Sequence, residues 1–117
     1  MTLRITRGRD YKIILNVKQD GSLDPQNLSS MSQAVLRVSK KENNIQVASI
    51  NLSVVDSSNG VLRGVIPSSV TSNFTVSKRE KEDNYILKSI YCASITINFS
   101  DNTQTITTYI DDVIIIP

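Results

Sequence analysis

Hydrophobic and polar positions alternate along most of this chain, and the alternation predicts short strands separated by polar turns. Leu3–Thr6 opens the series and Gly8 ends it. In Tyr11–Lys18, Tyr11, Ile13, Leu15 and Val17 fall on one side, with Lys12, Asn16 and Lys18 opposite. That period of two marks a half-buried strand. Gln19–Ser22 is a turn, and Leu23–Met31 is an irregular connection holding one proline. Gln33–Lys40 sets Ala34, Leu36 and Val38 on one face. After a polar turn at Lys41–Asn44, Ile45–Val55 returns as one strand with Ala48, Ile50, Leu52 and Val54 together.

Asp56–Gly60 (DSSNG) is the strongest turn, because Asn-Gly tolerates positive φ. Val61–Ile66 is a strand that Pro67 stops, since proline cannot donate to a ladder. Ser68–Phe74 has room for one helical turn, with Val70 and Phe74 four apart. Val76–Asn84 is dominated by charge (KREKED) and reads as a solvated loop or strand tip, with a binding loop as the other reading. Tyr85–Phe99 follows, with Tyr91, Ala93, Ile95, Ile97 and Phe99 inward. Gln104–Ile110 places Ile106, Thr108 and Ile110 on one face, Asp111-Asp112 interrupts, and Val113–Ile116 closes before Pro117. Evenly spaced short strands joined by turns predict an all-β, antiparallel sandwich of about seven to eight strands. Its expected core is Ile13, Leu15, Leu36, Val38, Leu62, Ile66, Tyr91, Ala93, Ile95, Ile97 and Ile106.

Composition agrees. Val and Ile supply 26 of the 117 residues, while Ala supplies 3. This is strand rather than helix chemistry. No linker or repeat divides the chain, so residues 1–117 are expected to form a single domain. There is no His and no Trp, and Cys92 is the one cysteine. A Ser–His–Asp or Cys–His triad, a His-ligated metal and an intrachain disulfide are therefore excluded. Without a neighbouring His, Cys92 reads as a packed, inert thiol, and a single thiol fits synthesis in a reducing cytosol. Asp111 and Asp112 are adjacent and would point to opposite faces of a strand, which is wrong for acid–base work on one substrate. Asp20, Asp24 and Asp101 sit in turns but lack EF-hand spacing. No enzyme activity, cofactor, metal or small-molecule substrate is expected.

The net charge of +2 gives no general case for nucleic acid or membrane. No stretch approaches the roughly 20 apolar residues of a membrane span, and no signal-peptide core is visible. The charge is uneven, however. Residues 1–18 carry Arg4, Arg7, Arg9, Lys12 and Lys18 against Asp10, whereas residues 99–117 carry Asp101, Asp111 and Asp112 with no base. Three readings stand: first and last strands that lie together and complement, head-to-tail pairing between copies, or a nucleic-acid stripe. Four consecutive β-branched residues, Val113, Ile114, Ile115 and Ile116, cannot all face one core if side chains alternate. Two of them are expected to face a partner, which makes Arg4, Arg7, Arg9, Asp111, Asp112 and Val113–Ile116 the candidate protein interface.

The order of elements resembles a family. Ile5-Thr6-Arg7-Gly8 leads into the alternating Tyr11–Val17; Ala34–Val38 follows; Asp56–Gly60 feeds a strand ending near Pro67; then come the Tyr-centred Tyr91–Phe99 and an Ile/Thr-rich last strand. This is similar to the immunoglobulin-like domain at the N-terminus of phage baseplate upper proteins and in related tailed-phage virion proteins, over residues 3–117. The resemblance implies an immunoglobulin-like sandwich and a structural or assembly role in a bacteriophage tail, baseplate, neck or capsid surface. Other phage structural proteins and further copies of the chain would be its partners. It implies a virion location after synthesis in the host cytoplasm. In the baseplate proteins further domains follow; here the domain stands alone, which fits a small virion structural protein. The competing expectation is a stand-alone binding module for a host-surface protein or glycan. Such a module would show aromatics in its loops, where Phe74 and Tyr85 are the nearby candidates.

Overall fold

The computed structural model describes residues 2–19, 21–79, 87–100 and 105–117. Asp20, Tyr85, most of the charged KREKED stretch and residues 101–104 lie outside them, including the expected turn at Asp101.

The strands are β1 (Thr2–Thr6), β2 (Tyr11–Asn16), β3 (Met31–Lys40), β4 (Gln46–Asn51), β5 (Ser53–Asp56), β6 (Val61–Ile66), β7 (Lys78–Arg79), β8 (Leu87–Lys88), β9 (Tyr91–Phe99) and β10 (Thr105–Ile116). One helical turn, α1 (Ser68–Thr71), follows β6. A five-stranded sheet runs β1-β10-β9-β3-β4, and a three-stranded sheet runs β2-β6-β5. β7 and β8 form a small separate ribbon. Among the described residues every strand pairing is antiparallel except β1 with β10, which is parallel. The fold is an immunoglobulin-like β-sandwich. β3, β9 and β10 take the places of strands C, F and G, while β2, β5 and β6 take those of B, D and E. The first strand departs from the constant-type arrangement by pairing with the last strand instead of with β2.

The core lies between the two sheets. Ile13, Leu15, Leu36, Val38, Leu62, Ile66, Tyr91, Ala93, Ile95 and Ile97 are all buried, as their parity predicts. Ile106 is the exception: it is only partly buried and packs at the margin of the core.

Two strand boundaries differ from the pattern. Ile45–Val55 is two strands, because the chain changes sheets at Leu52. That residue completes the pairing with β3, its N–H donating to the Ala34 carbonyl at 2.8 Å, and β5 then joins β6. The inward face of both sheets is the same core, so alternation continues unbroken across the switch. At the edge strand it yields Val54 39 % exposed. The second difference is at Asp111-Asp112, which do not end a strand. β10 runs through them with a register shift between Ile110 and Val113. The extra residue of this bulge flips the parity. Ile110 faces the core before it, and Val113 and Ile115 after it.

Tyr91 anchors the crossing between sheets. Its ring is buried against Phe74, with centroids 5.3 Å apart. Its hydroxyl accepts the Thr75 N–H at 2.9 Å. A tyrosine at the start of strand F, bonded back across 16 residues to the preceding connection, is similar in placement to the tyrosine corner of immunoglobulin-like sandwiches, whose reach is shorter. Cys92 sits one residue along, on the opposite face, out of position for a disulfide across the core. We expect Tyr91→Phe to cost about 1–3 kcal/mol by leaving the Thr75 N–H without an acceptor. Urea unfolding with a lower midpoint and unchanged slope checks this.

Candidate functional site

β1 lies against β10 over Leu3↔Val113, Arg4↔Ile114, Ile5↔Ile115 and Thr6↔Ile116, so the first and last strands do lie together. The side chains do not sit as the candidate interface required. Val113 and Ile115 are fully buried in the chain's own core, Ile114 is 8 % exposed, and Ile116 is half-buried. The expectation that two of the four need a partner is therefore corrected. β10 is an interior strand with a neighbour on each side, and its apolar run is consumed within the chain.

Two serines complete that neighbourhood on the side β9 leaves. The Val113 N–H donates to Ser89 Oγ at 3.1 Å, and the Ile115 N–H donates to Ser77 Oγ at 2.8 Å. The Ser77 N–H in turn donates to the Ile115 carbonyl at 2.9 Å. Each hydroxyl stands in for a missing strand. Sequence reasoning missed both, because a serine beside a charged loop carries no periodic signal.

The charged candidates disperse. Arg4 is exposed on β1. Arg7 is exposed, and its Nε donates to the Ser72 carbonyl at 3.1 Å. Arg9 is exposed, and its carbonyl accepts the buried Thr71 hydroxyl at 2.8 Å. Asp111 is exposed. Asp112 pairs with Lys41 at 2.7 Å, not with an N-terminal arginine. The Lys41 hydrogen bond, then its charge, holds the Asp112 carboxyl below the usual carboxylate range. Asp56 is lowered too, chiefly by the Asn59 amide at 2.7 Å and then by the Ser58 hydroxyl at 3.0 Å. Both groups are depressed in the folded state. Their contribution to stability is present above the unfolded carboxylate pKa of about 3.9 and is lost as pH falls through the folded value. We expect Lys41→Met to move the Asp112 titration upward while leaving Asp56 unmoved, read by NMR.

A cleft of about 420 Å³ opens beside the β3–β4 turn and is lined by Lys40, Lys41, Glu42, Thr75, Ser89, Ile90 and Tyr91. It brings no pair of carboxylates together. Among the described residues no three Asp, Glu or Cys side chains converge in metal-binding geometry, and no helix is long and apolar enough to cross a membrane.

The outer face of the three-stranded sheet carries a different feature. Ile14 is 69 % exposed, Val55 57 % and Val65 37 %. Lys12 lies opposite Val65, and Arg63 opposite Ile14. On the other sheet Tyr109 stands 75 % exposed beside Ser94. This aromatic lies on a strand, not in the loops where aromatics were sought.

No protein-family model matches the chain, and no curated protein matches it. Among solved structures the chain is similar to one described as the ZIG-8-RIG-5 IG1-IG1 heterodimer, monoclinic form. Identity is 9 %, coverage is 99 % of this chain and 82 % of that one, and the TM-score is 0.37. The strand order described above, not this likeness, defines the fold.

Proposed function

We propose that this chain is a structural component of a tailed bacteriophage particle that acts through protein–protein contacts, with other virion proteins and further copies of itself as partners. The observation that favours contact over chemistry is the outer face of the three-stranded sheet. There Ile14, Val55 and Val65 stand in water on rigid strands, flanked by Lys12 and Arg63. Aliphatic side chains held out on a sheet, with a few charges around them, suit a protein partner. The phage setting comes from the sequence resemblance over residues 3–117. The test is mass spectrometry of purified particles from a phage encoding the chain. Recovery in many copies per particle is expected; consistent absence from particles overturns the reading.

Tyr109 favours a second reading, a module that recognises a host-surface protein or glycan. An exposed aromatic beside Ser94 on a sheet face suits stacking on a sugar ring. Binding of the purified chain to host cells, lost in Tyr109→Ala, would favour it.

A further inference from the structure

The two sheets end on four strand edges, and three of them carry features that discourage pairing. β5 is short and broken by the register shift between Val54 and Asp56. β4 pairs with β3 through a shift between Val38 and Ser39. β1 is five residues long and carries Arg4 at its centre. β2 differs. Its six residues pair with β6 without a break, from Tyr11↔Ile66 to Asn16↔Val61, and contain neither proline nor glycine. Lys12 is its single charge. Bulges, short length and charge are the usual protection of an edge, and β2 has the least. Among the described residues the edge is open, because β1 pairs with β10 and not at the place beside β2 that a first strand occupies in a constant-type sandwich.

The open edge has a definite polarity. The Val17 N–H donates to the Gly60 carbonyl at 2.8 Å, on the β6 side. Successive residues alternate, so Tyr11, Ile13 and Leu15 also direct their backbone groups toward β6. Lys12, Ile14 and Asn16 direct theirs outward, and no backbone or side-chain group among the described residues bonds to them there.

We propose that β2 is a self-association edge: two copies pair β2 with β2 antiparallel about a two-fold axis at Ile14. The register follows from the residues. With Ile14 opposite Ile14, the outward-facing backbones of Lys12, Ile14 and Asn16 all meet as hydrogen-bonded pairs. Lys12 falls opposite Asn16 of the other copy, and Ile13 opposite Leu15, so each face of the joined sheet stays like with like. Moving the centre to Lys12 or Leu15 sets lysines opposite one another, Lys12 with itself or with Lys18, and a one-residue slip opposes inner to outer faces. Centring on Ile13 puts Lys12 against exposed Ile14. The joined three-stranded sheets become continuous and the exposed Ile14 pair is covered. The same contact is closed and isologous, so it stops at two copies.

This inference rests on the edge alone and not on the phage assignment. A chain found in virions yet monomeric overturns the inference and leaves that reading standing. The experiment is sedimentation of the purified chain over a concentration series, with far-UV circular dichroism to confirm each variant is folded. A monomer–dimer equilibrium is expected. Ile14→Lys, at a side chain the fold leaves in water, should weaken it at least about tenfold by opposing two like charges. Asn16→Glu should tighten it by about two- to tenfold through a new pair with Lys12, an effect that added salt removes, and Asn16→Lys should weaken it. Should Ile14→Lys fail to fold, the two Asn16 variants decide. A chain that remains monomeric at about 1 mM overturns the proposal, as does a dimer that none of these changes moves.

Discussion

Removal of Val113–Pro117 should unfold the protein. Val113 and Ile115 are completely buried, and Ile114 is 8 % exposed. Burying three such side chains contributes roughly 1.5–3 kcal/mol each, a sum comparable with the whole stability of a small domain, about 5–15 kcal/mol. The loss does not stop there. β1 keeps only Thr2↔Asp112 of its five register pairs with β10, and the bond from the Arg7 N–H to the Ile116 carbonyl goes too. Leu3 and Ile5, 3 % and 0 % exposed, then lose the strand that holds them over the core. On the other side Ser77 and Ser89 lose the backbone groups they serve. The expected result is an amide NMR spectrum without native dispersion and no cooperative thermal transition. A truncated chain that stays dispersed and melts cooperatively contradicts this account of the strand. Ile115→Ala is the milder form, with an expected loss of about 2–5 kcal/mol from the cavity it leaves.

That expectation reverses the role the same four residues hold when read from sequence, and the reason is physical. Alternation reports which side of a strand is apolar; it located the main strands, and ten of the eleven core residues it named are buried, though it left Leu3, Ile5, Leu28, Val113 and Ile115 out of that core. It carries nothing about a strand's neighbours. An uninterrupted apolar run fits an end strand facing a partner as well as an interior strand covered on both faces, and β10 is the latter. The bulge at Asp111-Asp112 is similarly ambiguous: two acids in a row look like a turn until the pairing on either side is known. The sheet change at Leu52 is silent because both sheets share one interior. The ion pair of the last strand joins residues 71 apart, Lys41 and Asp112, a separation at which local charge counts are uninformative. The adjacency of the two chain ends was legible as charge asymmetry, although the arginines do not make the bonds that the asymmetry suggests. Thr71, fully buried with its hydroxyl on the Arg9 carbonyl, is a polar core position that no hydrophobic pattern could mark.

Gly60→Ala should be the most damaging single methyl addition in the chain. The DSSNG turn ends at Gly60, which is buried and adopts φ +69°. A Cβ in that left-handed conformation costs roughly 1–2 kcal/mol in itself. Here it would also stand 2.5 Å from the Val17 carbonyl oxygen and 2.8 Å from that of Gln26. Both are backbone atoms, and neither can swing aside as a side chain would. The Gly60 carbonyl accepts the Val17 N–H at 2.8 Å, and the Val17 carbonyl accepts the Gln26 N–H at 2.9 Å. A shift large enough to admit the methyl therefore breaks the join between the end of β2, the start of β6 and the 25–28 segment that carries buried Leu28. Strain and lost bonds together should cost about 3 kcal/mol or more. Gly8→Ala is the matched control: it has a similar φ of +81° with nothing within 4 Å of the added carbon, so it pays the conformational cost alone. Urea unfolding of both variants separates the two contributions. Equal losses would mean that the close approach at Gly60 relaxes without cost; a loss at Gly60 clearly exceeding that at Gly8 is the expected result.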